Sequence, residues 1–127
     1  MSTLPENLRY SEDHEWVETR GDDLVRIGIT AYAAEQLGDI VYVDLPEEGQ
    51  ATTAGEACGE LESTKNVSEL ICPVAGVVTA VNPAVADDPG LVNTDPYGEG
   101  WLVEIRATDG AAGEHLMDAA AYAAHTG

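Results

Sequence analysis

The chain has no phenylalanine, a single lysine, two cysteines and two methionines among its 127 residues. Without Phe, a core has to be assembled from Ile, Leu and Val. Positive charge is scarce: five Lys and Arg stand against 24 Asp and Glu, a formal charge of -19. That balance excludes nucleic acid and anionic membrane surfaces as partners, because both attract cations, and it points to partners with basic docking patches. Cys58 and Cys72 make neither a CxxC nor a zinc-ligand spacing, which removes metal-ribbon and thioredoxin-like readings. No apolar run is long enough for a bilayer span, and the first residues lack both a signal-type apolar segment and an Arg-rich transit composition. The cytoplasm is the expected compartment, and there the two cysteines are expected as small buried hydrophobes.

What is present is a series of short β-rich runs separated by Gly and Pro. The length suits one domain, with its core over about 15–108 and a helical C-terminal segment over about 113–125. Alternating apolar residues predict a hairpin from 16–20 and 24–29 joined at Gly21-Asp22-Asp23, then strands over 39–44, 57–63, 67–72, 76–81 and 101–107. Thr30 and Gly38 bracket a brief helix over 31–37. Asp118 caps a helix over 119–125 whose apolar side carries Leu116, Met117 and Tyr122. The fold class is therefore all-β with short helices. A faint internal echo aligns Gly38-Asp-Ile-Val-Tyr-Val-Asp44 with Gly76-Val-Val-Thr-Ala-Val-Asn82, as in a flattened barrel of two similar halves joined by the hairpin around Lys65.

That lysine is the most informative position. It lies in Glu62-Ser-Thr-Lys-Asn-Val-Ser68 between two strand patterns, and the pair Lys65-Asn66 suits a tight turn because Asn tolerates positive φ. An ordinary surface lysine would also sit on such a turn, so location alone does not single it out. A hairpin centred there sets Cys58 and Cys72 roughly opposite each other, which keeps a cross-strand pairing open. His14 with Glu15 or Asp13 could form an acid-base pair, yet no nucleophile is recognisably placed beside it.

Several blocks carry a resemblance: Tyr10-Ser-Glu-Asp-His-Glu-Trp-Val17, Ile27-Gly-Ile-Thr-Ala-Tyr-Ala33, Glu35-Gln-Leu-Gly-Asp-Ile-Val-Tyr-Val-Asp-Leu-Pro46, Glu62-Ser-Thr-Lys65, Pro73-Val-Ala-Gly76 and Asp95-Pro-Tyr-Gly-Glu-Gly-Trp101. In that order, across almost the whole chain, they resemble the H proteins of the glycine cleavage system. Thr64 and Asn66 set the chain apart from biotin carriers, which flank their lysine with Met, and from 2-oxo acid dehydrogenase lipoyl domains, which place Asp before it and Ala after it.

The resemblance implies a flattened β-barrel or sandwich of lipoyl-domain (barrel-sandwich hybrid) type, and lipoic acid in amide linkage to Lys65. It implies a carrier and not an enzyme. In the family's cycle a pyridoxal phosphate glycine decarboxylase loads an aminomethyl group onto the arm. A tetrahydrofolate-dependent aminomethyltransferase removes it, a flavin (FAD) dihydrolipoyl dehydrogenase reoxidises the arm, and lipoyl-attaching enzymes install it. The family's loaded arm folds into a surface cleft, whose matching positions here are Asp13, Glu15 and Glu69. Two alternatives stand beside this reading: a lipoyl donor in a lipoate relay, and a small acid-base hydrolase using His14.

Overall fold

The computed structural model describes residues 8–11, 14–21, 23–53, 55–107 and 116–126. The elements in order are β1 (Arg9–Tyr10), β2 (Glu15–Thr19), β3 (Leu24–Ile29), α1 (Ala31–Leu37), β4 (Ile40–Asp44), β5 (Ala51–Thr52), β6 (Ala57–Ser63), β7 (Val67–Ile71), β8 (Gly76–Val81), α2 (Pro83–Asp87), α3 (Leu91–Thr94), β9 (Val103–Ala107) and α4 (Ala119–Thr126). They form a six-stranded sheet in the order β1-β2-β3-β9-β8-β5 and a three-stranded sheet β4-β6-β7. Among the described residues, every strand pairing within them is antiparallel. Val25, Ile27, Val78, Val103 and Ile105 of the larger sheet share one buried cluster with Val43, Leu61 and Leu70 of the smaller, so the expected two-layer aliphatic core is formed.

The internal echo has a structural counterpart. β4 and β8 lie in different sheets, and each shows a register irregularity against its partner, between Ile40 and Tyr42 in one and between Val78 and Ala80 in the other. These are equivalent positions of the two aligned segments. A bulge adds local twist, so each half bends at the same point.

Helix α1 is bounded as its sequence implies. The Thr30 hydroxyl accepts from the Ala33 N–H at 3.2 Å, and Gly38, at φ +86°, donates its N–H to Ala34 O. Helices α2 and α3 were not expected from periodicity, being too short to show one. The start of α2 was nevertheless readable: the Asn82 side chain accepts from Ala84 N–H at 3.0 Å and Pro83 occupies the first turn. The strand expected over 101–107 begins only at Val103, because Leu102 N–H leaves the ladder pattern to bond Ile27 O.

A second, aromatic cluster also departs from the purely aliphatic expectation. Leu8, Tyr10, Trp16 and Tyr122 are buried together, with Tyr97, Trp101 and Met117 packed against them. The Tyr10 and Tyr122 rings stack at 4.9 Å between centroids, and the Trp16 indole N–H donates to Pro96 O at 2.8 Å. Gly28 permits this packing, since a Cβ there would stand 2.7 Å from the Trp16 ring. Tyr10 and Met117 exchange backbone hydrogen bonds of 2.8 and 2.7 Å, so the segment before α4 covers the free edge of β1. Asp118 caps α4 through Ala121 N–H at 2.8 Å.

Both cysteines are free thiols. Cys72 is buried and Cys58 half-buried at the register shift between Ala57 and Gly59. The hairpin does bring the two thiols near each other, and Cys72 Sγ donates to Val74 O at 3.0 Å. The neighbouring Cys72 thiol, then burial, pushes the Cys58 thiol above its ordinary range.

Burial drives the aromatic cluster's pH response. Desolvation raises the Tyr10 phenol and pushes Tyr122 up to about 12. A folded-state value above the unfolded one means that the native form holds its proton longer, so this contribution is complete below pH 10 and fades as pH climbs toward 12. Tyr122→Phe is expected to cost about 1–2 kcal/mol at neutral pH, read by urea unfolding. It should also flatten the alkaline loss of stability.

Candidate functional site

Lys65 is exposed at the tip between β6 and β7. The hairpin register pairs Glu62 with Val67 and Leu61 with Ser68. Beyond the ladder, Ser63 N–H donates to Asn66 O at 2.8 Å, which leaves Thr64 and Lys65 as the central residues of the turn. The turn was expected to centre on Lys65-Asn66 with Asn at positive φ. Instead, His14 is the one non-glycine residue at positive φ among those described, and the turn is held by a hydroxyl. Ser63 Oγ accepts from Lys65 N–H at 3.1 Å and from Asn66 N–H at 2.9 Å, and donates to Asn66 O at 3.1 Å. This local side-chain clamp is a known use of serine in turns, and Ser63 two residues before the lysine was its sequence signal.

The tip is also tied to the rest of the molecule. Thr64 N–H donates to Asp39 O at 3.1 Å, just after α1. The Lys65 methylenes lie over Gly38: a Cβ built there would meet Lys65 Cε, Cδ and Cγ at 3.4, 3.5 and 3.7 Å. Among the described residues no ion pair engages the Lys65 amine. An exposed primary amine on a clamped turn is open to acylation without any unfolding.

Beside the tip, on one flank of α1, is a small cleft of about 130 Å³. His14 and Glu15 border it from the start of β2, Leu37 from α1, and Leu61, Ser68 and Glu69 from the hairpin. The structure thus brings Glu15 and Glu69 to one cleft. Asp13 lies outside the described residues. Glu15 is 2% exposed and accepts from the Ser11 hydroxyl at 3.1 Å, whereas Glu69 is exposed on the edge strand β7. A carboxylate fixed in so buried a position interacts with a cation more strongly than one in water.

His14 belongs to a structural chain. Its Nδ1 is 2.8 Å from the Tyr122 hydroxyl, which is 2.8 Å from Thr30 Oγ1, the cap of α1. His14 O in turn accepts from Thr30 N–H. One phenol on α4 therefore joins the cleft rim to the start of α1. Tyr97 adds a second hold, its hydroxyl accepting from Ala31 N–H at 3.0 Å. At the other end of α1, Asn93 accepts from Ile40 N–H at 2.8 Å and donates to Gly38 O at 2.9 Å. These ties were missed in the sequence because each joins segments far apart in the chain. Trp101 proves to be a half-buried wall under the Arg26 guanidinium, 4.3 Å from its ring centroid, with Arg26 paired to Glu104 at 2.8 Å.

Residues 8–126 match the family model described as glycine cleavage H-protein. The chain is 55% identical over 127 residues to the glycine cleavage system H protein of Micrococcus luteus, covering 99% of each. It is 57% identical to that of Corynebacterium jeikeium, covering 98% of each. Its structure is similar to the crystal structure of a glycine cleavage system H protein from Mycobacterium marinum, with a TM-score of 0.90 at 46% identity over 97% of this chain and 98% of that one. The chain belongs to the glycine cleavage H-protein family.

Proposed function

We propose that Lys65 carries lipoic acid in amide linkage, and that the chain shuttles an aminomethyl group between the enzymes that load and unload this arm. The observation that carries the reading is the exposed sole lysine on a clamped turn, beside a cleft holding a buried carboxylate, in a chain of this family. As a member of that family the protein is the lipoyl-carrier shuttle of glycine decarboxylation and not itself an enzyme. The lipoyl group, when attached, supplies a strained disulfide that opens to take up carbon and closes on reoxidation.

The chain's own residues position and protect. Ser63 and Thr64 hold the turn so that Lys65 projects from a fixed base. Glu15 receives a cargo ammonium at the bottom of the cleft, Glu69 adds charge at its rim, and Asp13 is proposed as a third acidic group. Leu37 and Leu61 exclude water around them, which slows hydrolytic loss. Tethering keeps the cargo at high effective concentration for each enzyme in turn. The partners we propose are the pyridoxal phosphate decarboxylase, the tetrahydrofolate-dependent aminomethyltransferase, the flavin dihydrolipoyl dehydrogenase and the lipoyl-attaching enzymes, each meeting this acidic chain through basic groups.

Protein isolated from its native host should show the mass of a lipoyl adduct mapped to Lys65, absent from Lys65→Arg; an unmodified Lys65 while glycine cleavage is running would sink the reading. Ser63→Ala should cost about 1–2 kcal/mol in urea unfolding, and it should slow acylation by the attaching enzyme while leaving the amine open to small reagents. With the arm loaded, Glu15→Gln should hasten hydrolytic release on the order of tenfold, equivalent to about 1.4 kcal/mol. An unchanged decay rate removes Glu15 from that role.

A further inference from the structure

The site around Lys65 makes no use of the two thiols at the opposite end of the same hairpin. In a regular strand Cys58, three residues from the buried Leu61, would face away from it. The register shift between Ala57 and Gly59 reverses this, so that Cys58 packs against the aliphatic cluster while Ala57 and Glu60 are exposed. Across the ladder, Cys72 N–H donates to Glu56 O at 2.9 Å and Cys72 O accepts from Gly55 N–H at 2.8 Å. Cys72 belongs to the same cluster and is 1% exposed, so both sulfurs lie on the inner face of the hairpin.

The two sulfurs differ in access. Cys58 is half-buried beside the exposed Glu56 and Ala57, so a small solute reaches it from water. Cys72 is enclosed, with Val74 O, the Thr52 hydroxyl and the Cys58 thiol around its sulfur. The neighbouring Cys58 thiol, ahead of any other cause, lowers the Cys72 thiol to about 7, while Cys58 itself is pushed up. One proton therefore leaves the pair readily near neutral pH, and the charge left behind holds back the second.

We propose that Cys58 and Cys72 are an oxidative modification site, at which hydrogen peroxide converts the two thiols to an intramolecular disulfide. The Cys58 sulfur attacks one peroxide oxygen and the O–O bond breaks, giving a Cys58 sulfenic acid and water. The Cys72 sulfur then displaces the sulfenic oxygen, which leaves as a second water. Two thiols and one peroxide thus give one disulfide and two waters, with two electrons passing from sulfur to oxygen. The bond closes a loop over residues 58–72 with Lys65 at its far end, which staples the base of the hairpin. Cys72 also ends the oxidation there. Without it, the Cys58 sulfenic acid goes on to an irreversible sulfinic acid, a charge set against an aliphatic core. Acylation of Lys65 plays no part in this chemistry.

The test treats the full-length chain, reduced and with Lys65 unmodified, with dilute hydrogen peroxide, quenches it with N-ethylmaleimide in denaturant and cuts it with trypsin. Cleavage after Lys65 separates the two cysteines, so the disulfide should hold peptides 27–65 and 66–106 together until a reductant parts them. The intact oxidised protein should be a monomer lighter by two hydrogens, with a urea midpoint about 1 M above that of the reduced form. Cys72→Ala should instead accumulate sulfenic and then sulfinic acid on Cys58. Cys58→Ala should leave Cys72 about tenfold slower to oxidise, because nothing then relays the oxidant to a buried sulfur. Dimers joined through Cys58, sulfinic acid on Cys58 while Cys72 is present, or a disulfide that forms only in urea would each overturn the site. An unchanged or lower urea midpoint overturns the staple.

Discussion

Helix α1 has only seven residues, too few to persist in water by itself. It is fixed because side chains from distant segments hold both of its ends. Thr30 and the hydroxyls of Tyr122 and Tyr97 secure the first turn, and Asn93 with Gly38 secures the last. The cleft at Glu15 is walled by this helix, the tip is tied to the residue after it, and the lysine stalk lies on its terminal glycine. A displacement of α1 would alter all three together.

The two hydrophobic clusters divide the labour. The aliphatic one between the sheets holds the β-architecture, while the aromatic one ties both chain ends to it through Tyr10, Trp16 and Tyr122. Tyrosine suits the second task better than phenylalanine would. Its ring fills space, and its hydroxyl reaches His14 and Thr30 or Ala31 N–H. In a chain without Phe, the buried aromatics therefore fasten segments as well as fill space.

Much of this was legible in the amino-acid sequence, wherever the signal was local. Alternation marked β2, β3, β4, β6, β7 and β8, and Thr30, Gly38 and Asp118 marked helix ends where they occur. Lys65 was legible as a hairpin tip from the two strands around it. Its turn chemistry was misassigned because Asn66 has the stronger general preference for tight loops, whereas here the Ser63 hydroxyl satisfies the turn's N–H groups without positive φ. Helices α2 and α3 escaped because four or five residues show no period, although Asn82-Pro83 was a usable cap signal. The convergence of residues 14–15, 31–39 and 93–97 around one helix depends on tertiary bonds that no local pattern encodes. That is why Glu15 and Glu69 could be proposed from resemblance but not placed together by spacing.

The distribution of the few cations gives the molecule a direction. Arg9, Arg26 and Arg106 lie on strands of the six-stranded sheet and Arg20 directly follows β2, while β4, β6 and β7 contain neither Arg nor Lys and carry Asp44, Glu60, Glu62 and Glu69. Lys65 is the positive charge at the end of that anionic layer. An amide formed on its nitrogen, as proposed, would erase that charge and leave the layer of β4, β6 and β7 and its tip without a cation. A basic surface on a proposed partner would be drawn to this layer before contact. At higher ionic strength that attraction weakens, because exposed charges are screened.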